Sequence, residues 1–141
     1  MLLLLSTQIA LGDSGVNQMH VNGTFEITME PQADEQAPVG RIIITKQYSG
    51  PVSGAGVGQM ISKRQDNGVA IYFAIEEFSG SVDGKVGGFT LVHKGFMNAN
   101  RQTLEIEILE GSGTGELKTI SGALDITQTN GQHEYQLNYE L

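Results

Sequence analysis

The chain reads as all-β, a single antiparallel β-barrel of about eight or nine strands. Three observations lead there. Apolar and polar residues alternate with period two over most of the chain, as side chains on opposite faces of a strand do. Turn dipeptides punctuate the alternation at Asn67-Gly68, Asp83-Gly84 and Asn130-Gly131, the kind that closes short hairpins because both residues tolerate positive φ. Nowhere do apolar residues recur at helical spacing over more than two turns. A closed barrel leaves no unpaired edge and is preferred to an open sandwich on that ground.

The elements follow in order. Phe25, Ile27 and Met29 alternate with Glu26, Thr28 and Glu30 in a first strand, and an acidic loop runs from Pro31 to Pro38. Residues 40–48 form a second strand, with Ile42 and Ile44 on one face and Arg41, Thr45 and Gln47 on the other. In the next segment Gly54, Gly56 and Gly58 share one face. A strand with a bare face can bend sharply or let a neighbour's side chain lie across it. Gly54-Ala55-Gly56 opens like a nucleotide loop, but no helical pattern and no Gly-Lys-Ser/Thr follow, so no phosphate site is expected. Residues 69–78 and 88–97 make two long strands joined through Asp83-Gly84. Residues 102–109 alternate cleanly, 111–115 are a turn cluster, and 122–129 precede the Asn130-Gly131 turn. The last strand is the most regular, with His133, Tyr135, Leu137, Tyr139 and Leu141 on one face.

Composition narrows the function classes. A chain of 141 residues holds one domain with a real core, placed at 19–141 and preceded by an extension at 1–18. Nineteen glycines against three prolines, without a G-X-Y period, mean turns and strand bends rather than collagen or linker. Sixteen acidic against eight basic residues give a net charge of −8, which disfavours nucleic acid and anionic membranes as partners. With no cysteine, disulfides and thiolate metal sites are excluded, and a reducing cytoplasm is the expected location. Met1 to Leu5 are apolar, but the run breaks at Ser6 and no Lys or Arg precedes it; it is too short to span a membrane and lacks a signal peptide's charged start. Two readings of this head stand: a segment packed on a partner subunit or an apolar groove, or an extension upstream of an alternative start at Met19.

The hairpin across Asp83-Gly84 carries the candidate site. A two-residue turn there faces Val82 with Lys85, Phe78 with Phe89, Glu76 with Leu91, Ala74 with His93 and Tyr72 with Gly95, all on one face. A carboxylate, an imidazole and a phenol then share an otherwise apolar surface. Glu76 and His93 are the candidate catalytic pair, able to pass a proton as general acid or base. Tyr72, Leu91, His133, Tyr135 and Tyr139 are the candidate ligand-binding residues. A buried pair that satisfies itself and fixes strand register explains Glu76 and His93 as well, and ordinary barrel filling explains His133, Tyr135 and Tyr139. No metal or cofactor is expected: His20, His93 and His133 stand on three separate segments without ligand spacing. The opposite hairpin face, Ile71, Phe73 and Ile75 with Val92 and Phe96, is apolar too, so it needs a cover of its own. A homo-oligomer through that face is expected; the inverse assignment puts the isoleucines inside and the polar trio outside.

These spacings also carry a resemblance. Tyr72-x-Ala74-x-Glu76, Gly80, Gly84, Phe89-x-Leu91-x-His93-x-Gly95-x-Met97, Ser112-Gly113-Thr114-Gly115-x-Leu117, Ile120-x-Gly122 and the alternation from His133 to Leu141, with Gly23-Thr24-Phe25 near the start, resemble the bacterial DUF3224 family from about Met19 to the C-terminus. The resemblance implies an allene-oxide-cyclase-like barrel. The Gly113-Thr114-Gly115 turn is also similar to one in plant allene oxide cyclases and dirigent proteins. The family supplies no activity to carry over. Its plant relatives cyclise a reactive lipid epoxide or steer radical coupling, in both cases holding an apolar substrate in a shaped barrel, an analogy of fold that fixes no chemistry. Three functions are therefore carried forward: a barrel that binds a small apolar or aromatic molecule in its lumen, an isomerase or cyclase using Glu76 and His93 for proton transfer, and a structural barrel without ligand.

Overall fold

The computed structural model describes residues 17–141. The expectation for the apolar head at Met1 to Leu5 lies outside the described residues. Nine strands follow one another: β1 (Met19–Gln32), β2 (Gly40–Ser49), β3 (Val52–Arg64), β4 (Ala70–Val82), β5 (Lys85–Met97), β6 (Gln102–Ile108), the two-residue β7 (Thr114–Gly115), β8 (Ser121–Thr129) and β9 (Gln132–Glu140). Each of β1 to β5 pairs antiparallel with the next. Strand β6 pairs β8, β8 pairs β9, and β9 returns to β1, which closes an eight-stranded barrel. The short β7 lies beside Gly87 and Gly88 of β5. Each of the eight barrel strands thus has two neighbours, which leaves no free edge strand, although the β6–β8 seam is held by one pair alone.

The turns account for the registers. Asp83 and Gly84 take φ of 49° and 79°, Asn130 and Gly131 52° and 80°, the left-handed pairs of a type I′ turn whose twist matches that of the strands it joins. The β4–β5 ladder is the expected one, from Val82↔Lys85 through Glu76↔Leu91 and Ala74↔His93 to Tyr72↔Gly95. Both strands run further toward the turn than their apolar pattern reaches, because Gly80, Gly87 and Gly88 keep pairing through their backbones. Glycine hides the alternation without breaking the ladder.

Burial decides which face is inside. On β4, Ala74, Glu76 and Phe78 are 4%, 2% and 3% exposed, whereas Phe73 and Ile75 are 43% and 59% exposed. The inverse assignment is thereby ruled out, and the Glu76–His93 face lines the lumen. Phe25, Tyr48, Phe78, Phe89 and Tyr135 interlock there, with Phe78 and Phe89 4.8 Å apart between centroids and Tyr48 edge-on to Phe78 and Tyr135. Such contacts add to area burial because ring edge and ring face carry opposite partial charge.

The two ends of the barrel differ. At the end of the 50–51 and 83–84 turns, the connection between β6 and β8 folds inward and places Leu117 and Ile120 in the same buried cluster as Val82 and Tyr135, with Leu117 beside Gly87. That end is plugged. At the other end lie the connections at 33–39, 65–69 and 98–101 and the Asn130-Gly131 turn, and the inward positions Ile27, Met60, Tyr72, Met97, Leu104 and Ile126 are only half-buried. The wall is also thinnest here. Pairing of β1 with β9 stops at Phe25↔His133, and β6 meets β8 through the single pair Glu107↔Ala123.

Candidate functional site

Midway between plug and mouth sits a cluster of polar side chains in an apolar lumen. Glu76 comes from β4, His93 from β5, and Lys46 and Tyr48 from β2. Strand β3 separates β2 from β4, and its face bearing Gly54, Gly56 and Gly58 explains how they meet. Lys46 is paired with Gly56, and Gly58 with Glu76, so nothing but backbone lies between the two side chains. A Cβ on Gly56 would stand 2.1 Å from Glu76 Oε2 and 3.1 Å from the Tyr48 ring. The bare face expected from the sequence is the floor over which Glu76 reaches.

The carboxylate is the hub. Lys46 Nζ donates to Oε1 at 2.8 Å, His93 Nε2 to the same oxygen at 2.9 Å, and Tyr48 OH to Oε2 at 2.6 Å. Lys46 Nζ also lies 3.4 Å from Tyr48 OH and 5.0 Å from the centroid of Phe25, over its ring face, an electrostatically favourable seat for a cation. Glu76, Lys46 and His93 are 2%, 3% and 5% exposed, and among the described residues no buried polar side-chain atom lacks a partner. Burial pushes the Glu76 carboxyl upward, but the His93 hydrogen bond, the Lys46 charge and the Tyr48 hydroxyl outweigh it and hold the group down at about 2. Burial, reinforced by the negative charge of Glu76, drives the Tyr48 hydroxyl far above its ordinary range, so it remains a donor.

This chemistry assigns roles. A carboxylate held at about 2 has no proton to give near neutrality. Its work is to fix Lys46 and His93. His93 is buried with the other two and stands on the mouth side of Leu91 along β5, two residues from Gly95 and four from Met97.

The structure divides the other candidates among three levels. Leu91 is core beside Glu76. Tyr72 and His133 stand at the mouth. The Tyr72 ring lies across Gly95, where an added Cβ would meet it at 1.9 Å, and His133 stacks at 5.2 Å on Phe25. The phenol that reaches Glu76 is therefore that of Tyr48, whereas Tyr72 lies a full turn of pleat away toward the rim. Tyr135 and Tyr139 belong to the plugged end and their hydroxyls are engaged. Tyr135 accepts from Val52 N–H at 2.9 Å and donates to Ser49 O at 3.0 Å, and Tyr139 donates to Asp83 at the hairpin turn. Sequence reasoning missed Lys46 and Tyr48. The signal was present, since 46 and 48 continue the alternation of Ile42 and Ile44.

Against known proteins, a family model described as a protein of unknown function, DUF3224, matches residues 21–139. The chain belongs to the DUF3224 family. A crystal structure of a DUF3224 protein of unknown function from Shewanella oneidensis MR-1 superposes with a TM-score of 0.81 at 30% identity, covering 87% of this chain and 97% of that one. No functionally curated protein matches the chain. Among the described residues no group of side chains is arranged to hold a metal ion, and no helix is long and apolar enough to cross a membrane. For DUF3224 the shared property is thus the barrel, and the chemistry of its lumen must be read from the side chains.

Proposed function

We propose that this DUF3224 barrel binds a small apolar or aromatic molecule at the open end of its lumen, above the Lys46–Tyr48–Glu76–His93 cluster. The observation that carries the reading is the asymmetry of the ends. Inward residues are sealed at the plug, while Ile27, Met60, Tyr72, Met97, Leu104 and Ile126 are half-buried at the mouth, an apolar lining with convergent polar groups beneath it. A cleft of about 250 Å³ crosses the rim of that end, where Met60, Tyr72 and Met97 meet the outer-face residues Ile71 and Phe96; its size suits a guest of one or two rings, since pockets for larger ligands run upward from roughly 300 Å³. His93 and Lys46 then supply hydrogen-bond donors to any polar atom that reaches the floor, and Glu76 holds both in place. The cysteine-free composition fits a reducing bacterial cytoplasm.

The test uses 1-anilinonaphthalene-8-sulfonate as the probe. Its fluorescence should rise saturably with one site per chain, weaken at least tenfold in Leu104→Trp, which fills the mouth, and be unchanged in Ile75→Asp on the outer surface. Binding that survives Leu104→Trp and disappears in Ile75→Asp would place the site outside the barrel and overturn the proposal.

A second reading, proton transfer on a bound guest, is favoured by one contact, the His93 Nε2–Glu76 bond of 2.9 Å, because a carboxylate that orients an imidazole is how many bases are held. In that reading His93 is the acid or base and Glu76 positions it. Glu76→Gln would then abolish turnover of a substrate while sparing probe affinity; equal loss of both would leave binding alone.

A further inference from the structure

The outer face of β3, β4 and β5 is an unusual surface for an acidic chain. Val57, Ile61, Ile71, Phe73, Ile75 and Val92 lie together on it, each between 39% and 59% exposed. They are adjacent through the Ile61↔Phe73 and Ile75↔Val92 pairs, and a groove of about 610 Å³ runs between Ile43, Val57, Ile61, Phe73 and Ile75. Six half-exposed large side chains in one contiguous patch exceed what a solitary molecule ordinarily leaves to water.

The charges at the edge of the patch say what would cover it. Glu77 is two residues beyond Ile75 on β4, and Lys94 is two residues beyond Val92 on β5. Because the strands are antiparallel and Ile75 faces Val92, the acid and the base stand at opposite corners, equally far from that pair. A twofold axis lying in the interface and crossing the strands near Ile75 and Val92 would lay Lys94 of one copy over Glu77 of the other, twice, with the apolar side chains between them. A self-complementary patch of this kind fits an isologous contact. By contrast, the outward residues of β1 and β9 include Glu26, Glu30, Glu134 and Glu140, a like-charged wall that repels a second copy, while Glu105 and Glu107 of β6 stand beside Lys94 and Val92 at the edge of the patch.

We infer that this face is the interface of a homodimer, two barrels packed through β3, β4 and β5 with reciprocal Glu77–Lys94 pairs. The inference does not depend on the lumen having a ligand. Analytical ultracentrifugation of the full chain tests it. The wild type should sediment as a dimer at micromolar concentration. Phe73→Asp and Ile75→Asp, both at exposed positions, should sediment as monomers with an unchanged far-ultraviolet spectrum. Glu77→Lys and Lys94→Glu should each weaken association at least tenfold, and the double reversal should recover most of it. A wild type that stays monomeric at 100 μM (on the order of the weakest specific dimers) would overturn the inference, as would a dimer indifferent to Ile75→Asp. A dimer that is lost with Ile75→Asp but is not recovered by the double reversal would overturn the proposed geometry.

Discussion

Glu76 is the residue on which most of the interior depends. It accepts from Lys46, Tyr48 and His93, and removing its charge leaves a buried ammonium without an anion. Breaking one side of such a buried pair typically costs about 3–5 kcal/mol, so Glu76→Gln should lower stability by that amount in urea unfolding, while Lys46→Met/Glu76→Gln together should cost less than the sum of the singles. The pH dependence follows from the same site. The carboxyl lies at about 2 in the folded barrel against 4.5 ordinarily, so the unfolded chain takes up the proton first as pH falls. Its contribution is fully present above pH 4.5 and is lost as pH drops toward 2, amounting to roughly 3 kcal/mol. Urea midpoints measured between pH 6 and pH 2 should fall more steeply for the wild type than for Glu76→Gln; parallel curves would contradict the assignment. Glu76 and His93 were legible from hairpin register alone. Lys46, though in phase with Ile42 and Ile44, is easily passed over, because a lysine in a strand is ordinarily a solvated residue, and only a partner two strands away in space makes an inward one tolerable.

At the scale of elements, β3 does the least visible work. Its glycine face reads as a bend in the sequence, and in the barrel it is the space through which β2 and β4 touch. Gly56→Ala should therefore act as a cluster mutation, displacing Glu76 from Tyr48 and costing about 2–4 kcal/mol as overpacking and broken hydrogen bonding combine. In a double-mutant cycle with Glu76→Ala its cost should largely vanish, because the side chain it displaces is already gone; full additivity would show that the strain is in the backbone instead. At the plugged end the Tyr135 hydroxyl ties the β2–β3 turn through Val52 and Ser49. Tyr135→Phe should cost about 1–3 kcal/mol in thermal or urea unfolding by leaving the buried Val52 N–H unpaired, with no effect on probe binding at the mouth. Type I′ dipeptides made β4–β5 and β8–β9 readable to the residue. The β6–β8 connection was readable only as a turn cluster, since nothing local says that Leu117 and Ile120 fold back to close a barrel.

For the whole molecule, period-two alternation and short turns were enough to name a closed antiparallel barrel, because a chain of strands without a helix has few ways to hide its edges. They could not say which end is open. That depends on where the long 109–120 connection lands, a matter of three-dimensional packing. The result is a barrel with a sealed floor, a charged and fully bonded middle, an apolar mouth and one apolar outer face. A plugged end and a mouth flanked by sparse pairing also predict a gradient in opening: amide hydrogen exchange should be slowest for Val82, Leu91 and Leu137 and at least a hundredfold faster for those amides of β8 beyond Ala123 that point toward β6, because β8 is laddered with β9 on its other side but meets β6 at one pair.

The most direct test of the lumen as a binding site is a methyl and imidazole NMR titration with indole, a neutral two-ring probe. Saturable shifts on Ile27, Met60, Met97, Leu104 and Ile126 together with the His93 ring are the predicted result. Shifts confined to Ile61, Ile75 and Val92 of the outer face, or none at millimolar indole, would contradict it.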